Sequence, residues 1–468
     1  LAFSDLGPNT RCHGFRTASP CTATDVGDIG WTCTGRLQTA SDPSYWDPPT
    51  NDNCRIRRVD PPGQNMTQAS GHRFQVDLSG LIDLLSQHLY SGPSVFVREL
   101  LQNGVDAIEA RCALDGAHEG LIELEVLGGG KQQPPTLIFR DNGIGLTEDE
   151  AHQFLATIGM SSKRGKFTSR GEGFLGQFGI GLLSCFLVSD EIVVISRSAR
   201  DAKAATVEWR GASDGTYAVR TIDREMEPGT QIYLRAKPSH IEWLEEKRVR
   251  ELALRYGRYL HHNIQFTSGS AIDTLNEVPL WDRDTHDSFE RERLLQVGHD
   301  LFERDFLDVF SLTSELGQVR GLAFVLARPA HSGSSQSHRA FLKGMFLADD
   351  VHNLLPDWAF FVQCLVNVND LRPTASRESF YEDAKFAATQ DELGQCLRHY
   401  LLDLSRNDPS RFQQFIGIHH VSIKALAVED DECLRIFADW LPFETSAGTM
   451  TLGEFRRQHP VIRYVRKQ

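Results

Sequence analysis

The chain has 468 residues, 40% hydrophobic and 24% charged, with a mean hydropathy of -0.32. That is too long for one ordinary core and too apolar for a disordered chain, so two or three packed domains are expected. Lys and Arg number 49 against 63 Asp and Glu, and the resulting charge of -14 disfavours a general nucleic-acid or anionic-membrane partner.

The opening LAFSDLGPNTRCHGF has neither a basic start nor an apolar run, so no signal peptide is read and a cytoplasmic protein is expected. Cys12, Cys21, Cys33 and Cys54 match no zinc-ligand spacing, and residues 1–70 read as a disordered leader with little periodic apolar sequence. Cys112, Cys185, Cys364, Cys396 and Cys433 stand singly in apolar or helical surroundings, as reduced thiols do. An apolar helical stripe covers 78–85, and Pro93 suits the first turn of a second helix. Strand-like runs follow at 121–127, 136–141, 191–198, 205–211, 216–222 and 230–236, giving an α+β layer with an antiparallel sheet. A charged amphipathic helix over 241–262 closes it. A polar connection, 267–293, leads to strands at 319–327 and 339–348, separated by a Ser-rich loop at 331–338 that reads as a hairpin turn or a short disordered link, and then to helices over 378–406 and 411–441. No run approaches the ~18 consecutive apolar residues of a membrane span.

The densest chemistry lies in VFVRELLQNGVDAIEA, 95–110, where Glu99, Asn103 and Asp106 fall at helical spacing on one face. Alone, that stripe is an ordinary solvated face in which Glu99 has no evident basic partner. About forty residues on, DNGIGL (141–146) joins Asp141 to Gly143 and Gly145, a tight turn that can aim a carboxylate into a pocket where an adenine amino group could donate to it. GEGFLGQFGIGLLS (171–184) then brings Gly176, Gly179 and Gly181 to a helix start, where bare main-chain N–H groups suit phosphate. Nine of the 39 residues from Gly143 to Gly181 are glycine, against 38 of 468 overall, an enrichment that marks a mobile segment.

Taken in order with PGTQIYL (228–234), these blocks resemble the ATP-binding domain shared by gyrase, heat-shock protein 90, histidine kinases and MutL, the GHKL superfamily. The wording is most similar to heat-shock protein 90 chaperones of the bacterial HtpG type, in YSGPSVFVRELLQNGVDAIEA, IFRDNGIGLT, FLGQFGIGLLSCFLVSDEIVVISR and PGTQIYLRAK. LPDWAFFVQCLVNVNDLRPTASRES (355–379) is similar to that family's middle-domain stretch, so the resemblance covers about residues 72–468.

The resemblance implies an ATP-binding α/β sandwich of the Bergerat type over 71–265, a linker at 266–295, and a middle domain over 296–468 of the ribosomal-protein-S5-like type with a helical end. The text stops at HPVIRYVRKQ, close to where the family's middle domain ends, so its carboxy-terminal dimerisation domain is not expected within these residues. ATP and Mg²⁺ are the implied ligands. Asn103 would help hold the nucleotide's Mg²⁺, and Glu99 would orient or deprotonate the attacking water. Asp141 would recognise adenine beside Asp106 and Gly143, aided by Gly145 and Thr230. A lid from about 159 to 181 would close and present Gly176, Gln177, Phe178, Gly179, Ile180 and Gly181 to the phosphates. Arg377 would reach from the second domain to the γ-phosphate. The implied activity is ATP-driven chaperoning of unfolded or partly folded protein clients, with a homodimer as partner state and no nucleic acid or membrane.

The text departs from the family in places. The lid GMSSKRGKFTSRGEG is short, Thr157-Ile158 replaces Lys-Ser, and Tyr381 stands where Gln is usual near the arginine. Lys163, Arg164, Lys166 and Arg170 read as a solvated hinge surface, and Trp358, Phe360 and Phe361 as core rather than a client patch. Two other functions fit the same blocks. One is a nucleotide-gated module that hydrolyses slowly; the other is a DNA-processing ATPase, for which Lys343 would supply the second-domain cation.

Overall fold

The computed structural model describes residues 80, 92–128, 133–155, 181–330, 336–374, 376–446, 448–459, 461 and 463. The leader, the 78–85 stripe other than Gly80, the lid from 159 to 180 with its basic cluster, and the loop 331–335 lie outside them.

Helix α1 (Val95–Leu114) forms the floor of the first layer. Pro93 precedes its capping position, Ser94, by one residue, and accepts the N–H of Phe96 at 3.2 Å. Val97, Leu100, Leu101, Val105 and Ile108 recur at helical spacing and are all buried. They meet a sheet whose strands alternate by the same logic at period two: in β1 (Leu121–Leu127), Ile122 and Leu124 go inward while Glu125 faces out to pair with Arg140 at 2.7 Å.

The remaining strands of this sheet are β2 (Thr136–Asp141), β3 (Ser189–Arg197), β4 (Thr206–Ala212), β5 (Tyr217–Ile222), β6 (Gly229–Ala236), β7 (Asn263–Ser268) and β8 (Ala271–Thr274). Their order is β5-β4-β3-β6-β2-β1-β7-β8, eight strands in all. The sheet is antiparallel apart from the β1–β7 pair, which is parallel. A short helix α2 (Glu148–Phe154), opened by a Thr147–Glu150 capping box, follows the DNGIGL turn.

Two expectations give way here. The segment 241–262 is not one helix. A 3₁₀ turn at Ile241–Leu244 precedes α3 (Glu246–Gly257), which ends so that residues 258–262 can feed β7. Gly257 sits against Leu101 and Ile264, a fit that stops the helix at the sheet. The polar connection at 267–293 is also structured. It holds β8, paired with β7, a 3₁₀ turn at Leu280–Asp282 that buries Leu280 and Trp281, and the start of α4 (Ser288–Phe302), capped by Asp287.

A second sheet of five strands has the order β12-β11-β13-β10-β9, from β9 (Phe306–Ser314), β10 (Val319–Leu326), β11 (His338–Leu342), β12 (Met345–Val351) and β13 (Val362–Val368). The expected single strand at 339–348 is a hairpin, because Lys343 and Gly344 turn the chain at φ 52° and 82°. Strands β10 and β11 are not hairpin partners either; β13 runs between them. Helices α5 (Ala384–Asn407), α6 (Pro409–Glu429, kinked at His419) and α7 (Asp431–Phe437) complete this layer. Trp358, Phe360 and Phe361 are buried, as core residues. Cys112, Cys185, Cys364, Cys396 and Cys433 are free thiols. Among the described residues no helix is long and apolar enough to cross a membrane.

Candidate nucleotide site

The floor of the site is α1. Near its start, Glu99 is 3% exposed and faces Gly181, where a Cβ would collide with the carboxylate, so a larger residue there would have to displace the Glu99 side chain. Two turns on, Ala107 accepts the N–H of Ile144 at 2.9 Å, which seats the DNGIGL turn on the same helix. Eight residues of helix separate those contacts by about 12 Å. Between them Asn103 is exposed and Asp106 is buried.

Asp141 ends β2 opposite Thr230 of β6 and is 8% exposed. Its Oδ1 accepts the N–H of Gly143 at 3.0 Å. Burial pushes its carboxyl up to about 7, and the main-chain N–H groups of Gly143 and Thr230 pull only part of the way back. Gly145 has φ 62°, and a side chain there would collide with the carbonyl of Arg197, so the turn admits no other residue without strain. Ser196 locks this corner: its hydroxyl donates to the Gly229 carbonyl at 2.9 Å, accepts the N–H of Leu146 at 2.9 Å and lies 3.0 Å from the Thr230 hydroxyl.

From the second layer, a turn closed by Arg377 N–H to the Thr374 carbonyl at 3.0 Å points Arg377 back to α1. Its Nη1 donates to Glu99 Oε1 and Oε2 at 2.8 and 3.0 Å and also to Gln102 Oε1. Arg377 is 8% exposed with φ 57°, a left-handed conformation that costs a non-glycine residue of order 1 kcal/mol and is held here by the packing around it. Arg98 Nη2 donates to Glu99 Oε1 at 3.3 Å and to the Ser376 carbonyl at 3.3 Å. Glu99 therefore has two cationic partners where its helix face suggested none. Cys185 lies beside it, and burial followed by the Glu99 charge pushes that thiol up, which leaves it protonated.

The structure thus gathers Glu99, Asn103, Asp106 and Gly181 along one helix, brings Asp141, Gly143, Gly145 and Thr230 to its far end, and adds Arg377 beside Glu99. Gly176, Gln177, Phe178, Gly179 and Ile180 lie outside the described residues. Lys343 sits instead in the β11–β12 turn, lining a cavity with Tyr259 and Trp281. Arg98, Gln102 and Ser196 were not singled out by the sequence. Gln102 was within reach of helical spacing, three residues from Glu99, whereas nothing local marks Ser196.

Residues 90–235 match the family described as histidine kinase-, DNA gyrase B- and HSP90-like ATPase. The chain is also similar to the chaperone protein HtpG of Idiomarina loihiensis, 28% identical over 414 residues, covering 81% of this chain and 65% of that protein. HtpG of Geobacter sulfurreducens is 27% identical over 386 residues, covering 73% and 59%, and HtpG of Vibrio campbellii is 29% identical over 418 residues, covering 81% and 65%. The chain carries a GHKL ATPase domain and is HtpG-like. It spans less than two thirds of the length of these relatives. Its α+β architecture is consistent with theirs, and Glu99, Asn103, Asp141 and Gly145 fall inside the matched segment.

Proposed function

We propose that this protein is an ATP-hydrolysing molecular chaperone of the heat-shock protein 90 type, in which closure of the site on Mg-ATP is coupled to handling of unfolded or partly folded protein clients. The observation that carries the reading is the contact of Arg377, from the second layer, with Glu99 on the nucleotide floor. A cation that arrives only when two layers dock makes turnover report on conformation.

The residues present suit the substrate. The exposed amide of Asn103 would meet the Mg²⁺ that enters with ATP, Asp141 would accept from the adenine amino group, and Gly181 would face the phosphates. Bound Mg-ATP supplies the transferable phosphoryl group and much of the charge compensation. Glu99 would orient and deprotonate the attacking water, and Arg377 would stabilise charge developing on the γ-phosphate.

With both Glu99 oxygens held by Arg377, neither group is placed for its role until the guanidinium turns toward phosphate. That supports slow, gated hydrolysis, with client or partner binding as the trigger. The DNA-processing reading would draw its second-domain cation from Lys343, but Lys343 lines a cavity with Tyr259 and Trp281, and the second-layer cation on Glu99 is Arg377. Free thiols at five described cysteines suit a cytoplasmic setting. The test is steady-state ATP turnover with and without an unfolded protein, alongside light-scattering mass to read a homodimer. Stimulation by the unfolded protein supports the reading, and stimulation by DNA alone would replace it.

A further inference from the structure

The far end of α1 carries a second cluster that the nucleotide chemistry does not use. Glu109 Oε1 lies 2.7 Å from His261 Nε2 and 3.0 Å from His262 Nε2. One ligand-type atom from each of the three residues falls within 4.8 Å of the others, and the two imidazole centroids are 3.9 Å apart.

The cluster is assembled from both sides independently. Glu109 is fixed by the helix. The consecutive histidines are fixed by Asn276, whose Nδ2 donates to the carbonyls of Leu260 and His262 at 2.7 and 2.9 Å while its Oδ1 accepts the N–H of Ile264 at 2.6 Å. The His262 ring packs against Gly120. His262 is buried and His261 is exposed, with side chains 11% and 61% accessible, so the cluster is rooted on one side and open on the other. A cavity of about 500 Å³ adjoins it, lined by both histidines and by His118. His118 Nε2 is buried with no hydrogen-bond partner among the described residues.

Two imidazoles and a carboxylate form an N,N,O donor set suited to a borderline metal ion, and an open fourth position is ordinary for zinc. We propose that Glu109, His261 and His262 bind a divalent transition-metal ion of the zinc class, with water from the cavity completing the shell. On binding, each ring moves its proton from Nε2 to Nδ1 and gives the Nε2 lone pair to the metal. Bonds of 2.0–2.1 Å put tetrahedral donors about 3.3 Å apart, so the 2.7 Å contact must open by about 0.6 Å and the 3.0 Å contact by about 0.3 Å, the larger movement falling on the exposed His261 ring. A bound ion would tie α1 to the entry of β7.

The experiment is calorimetric titration of Zn²⁺ into the untagged, nucleotide-free full chain, with Mg²⁺ as control, followed by Co²⁺ as a spectroscopic probe. One Zn²⁺ per chain is expected, with no matching Mg²⁺ site and a tetrahedral-type cobalt spectrum. Glu109→Gln should weaken binding by at least about tenfold, the loss that even an outer partner of a metal ligand causes. His261→Ala, at an exposed position that leaves folding intact, should do the same and abolish the cobalt spectrum. Equal Zn²⁺ affinity in wild type and His261→Ala, or no binding beyond that of Mg²⁺, overturns the site. ATP affinity, read on the same samples, is expected to stay unchanged, so failure here is separable from failure of the nucleotide reading.

Discussion

Arg377 donates to both carboxylate oxygens of Glu99, at 2.8 and 3.0 Å, across 278 residues of chain. A buried pair of this kind is a poor source of net stability, because desolvation offsets most of the attraction. In the proposed function it is a two-position element: Arg377 on Glu99, or Arg377 on phosphate.

Glu99→Ala should therefore still bind ATP while turnover falls by about 10²–10⁴-fold, the range for loss of a general base. Gln102→Ala removes the second acceptor of Arg377 without touching the base, and a smaller change in turnover at equal ATP affinity is expected. Equilibrium binding and turnover measured on the same preparations check both.

Asp141 has its carboxyl pushed up to about 7 by burial. An unfolded Asp ionises near 4, so between about pH 4 and 7 the folded chain holds the extra proton and stability declines as pH rises through that window. Ionised Asp141 is the better acceptor for an adenine amino group, so ATP affinity should move the other way and weaken as pH falls below about 7. Asp141→Asn should lose nucleotide binding and flatten that part of the stability profile. Calorimetric ATP binding and urea denaturation across this range test both signs.

His338 lies inside the second sheet, and its Nδ1 accepts the N–H of Cys364 at 3.1 Å. Burial, and then the nearby His352, pull its ring down to about 4. The unfolded ring protonates near 6.5, so stability present above that pH is lost as pH falls toward 4, by about 3 kcal/mol at most. His338→Leu should be less stable at neutral pH, since Cys364 loses an acceptor, yet show a shallower acid slope than wild type. Thermal denaturation against pH distinguishes the two effects.

The helix and turn of the candidate site were legible because their pattern is local. Glu99, Asn103 and Asp106 sit at helical spacing, and Asp141, Gly143 and Gly145 lie within five residues, so periodicity and turn chemistry suffice. Strands β1 to β6 appeared within two residues of their observed ends, whereas β7 was not read although Ile264 and Phe266 alternate inward. β8 is exposed at every position and carries no such alternation, and the helical text before β7 runs on past Gly257. The turn at Lys343-Gly344 was hidden by apolar residues on both sides of it. The partners of Glu99 were least legible: Arg98 looks like any helix-surface arginine, and the turn that aims Arg377 depends on long-range packing.

The most direct measurement is single-turnover ATP hydrolysis by Arg377→Ala beside wild type, with ATP affinity determined on the same protein. Near-wild-type binding with hydrolysis slowed by about 10³-fold or more is expected if the arginine completes the site from the second layer. Hydrolysis at the wild-type rate would contradict that account, because the contact with Glu99 would then be structural alone.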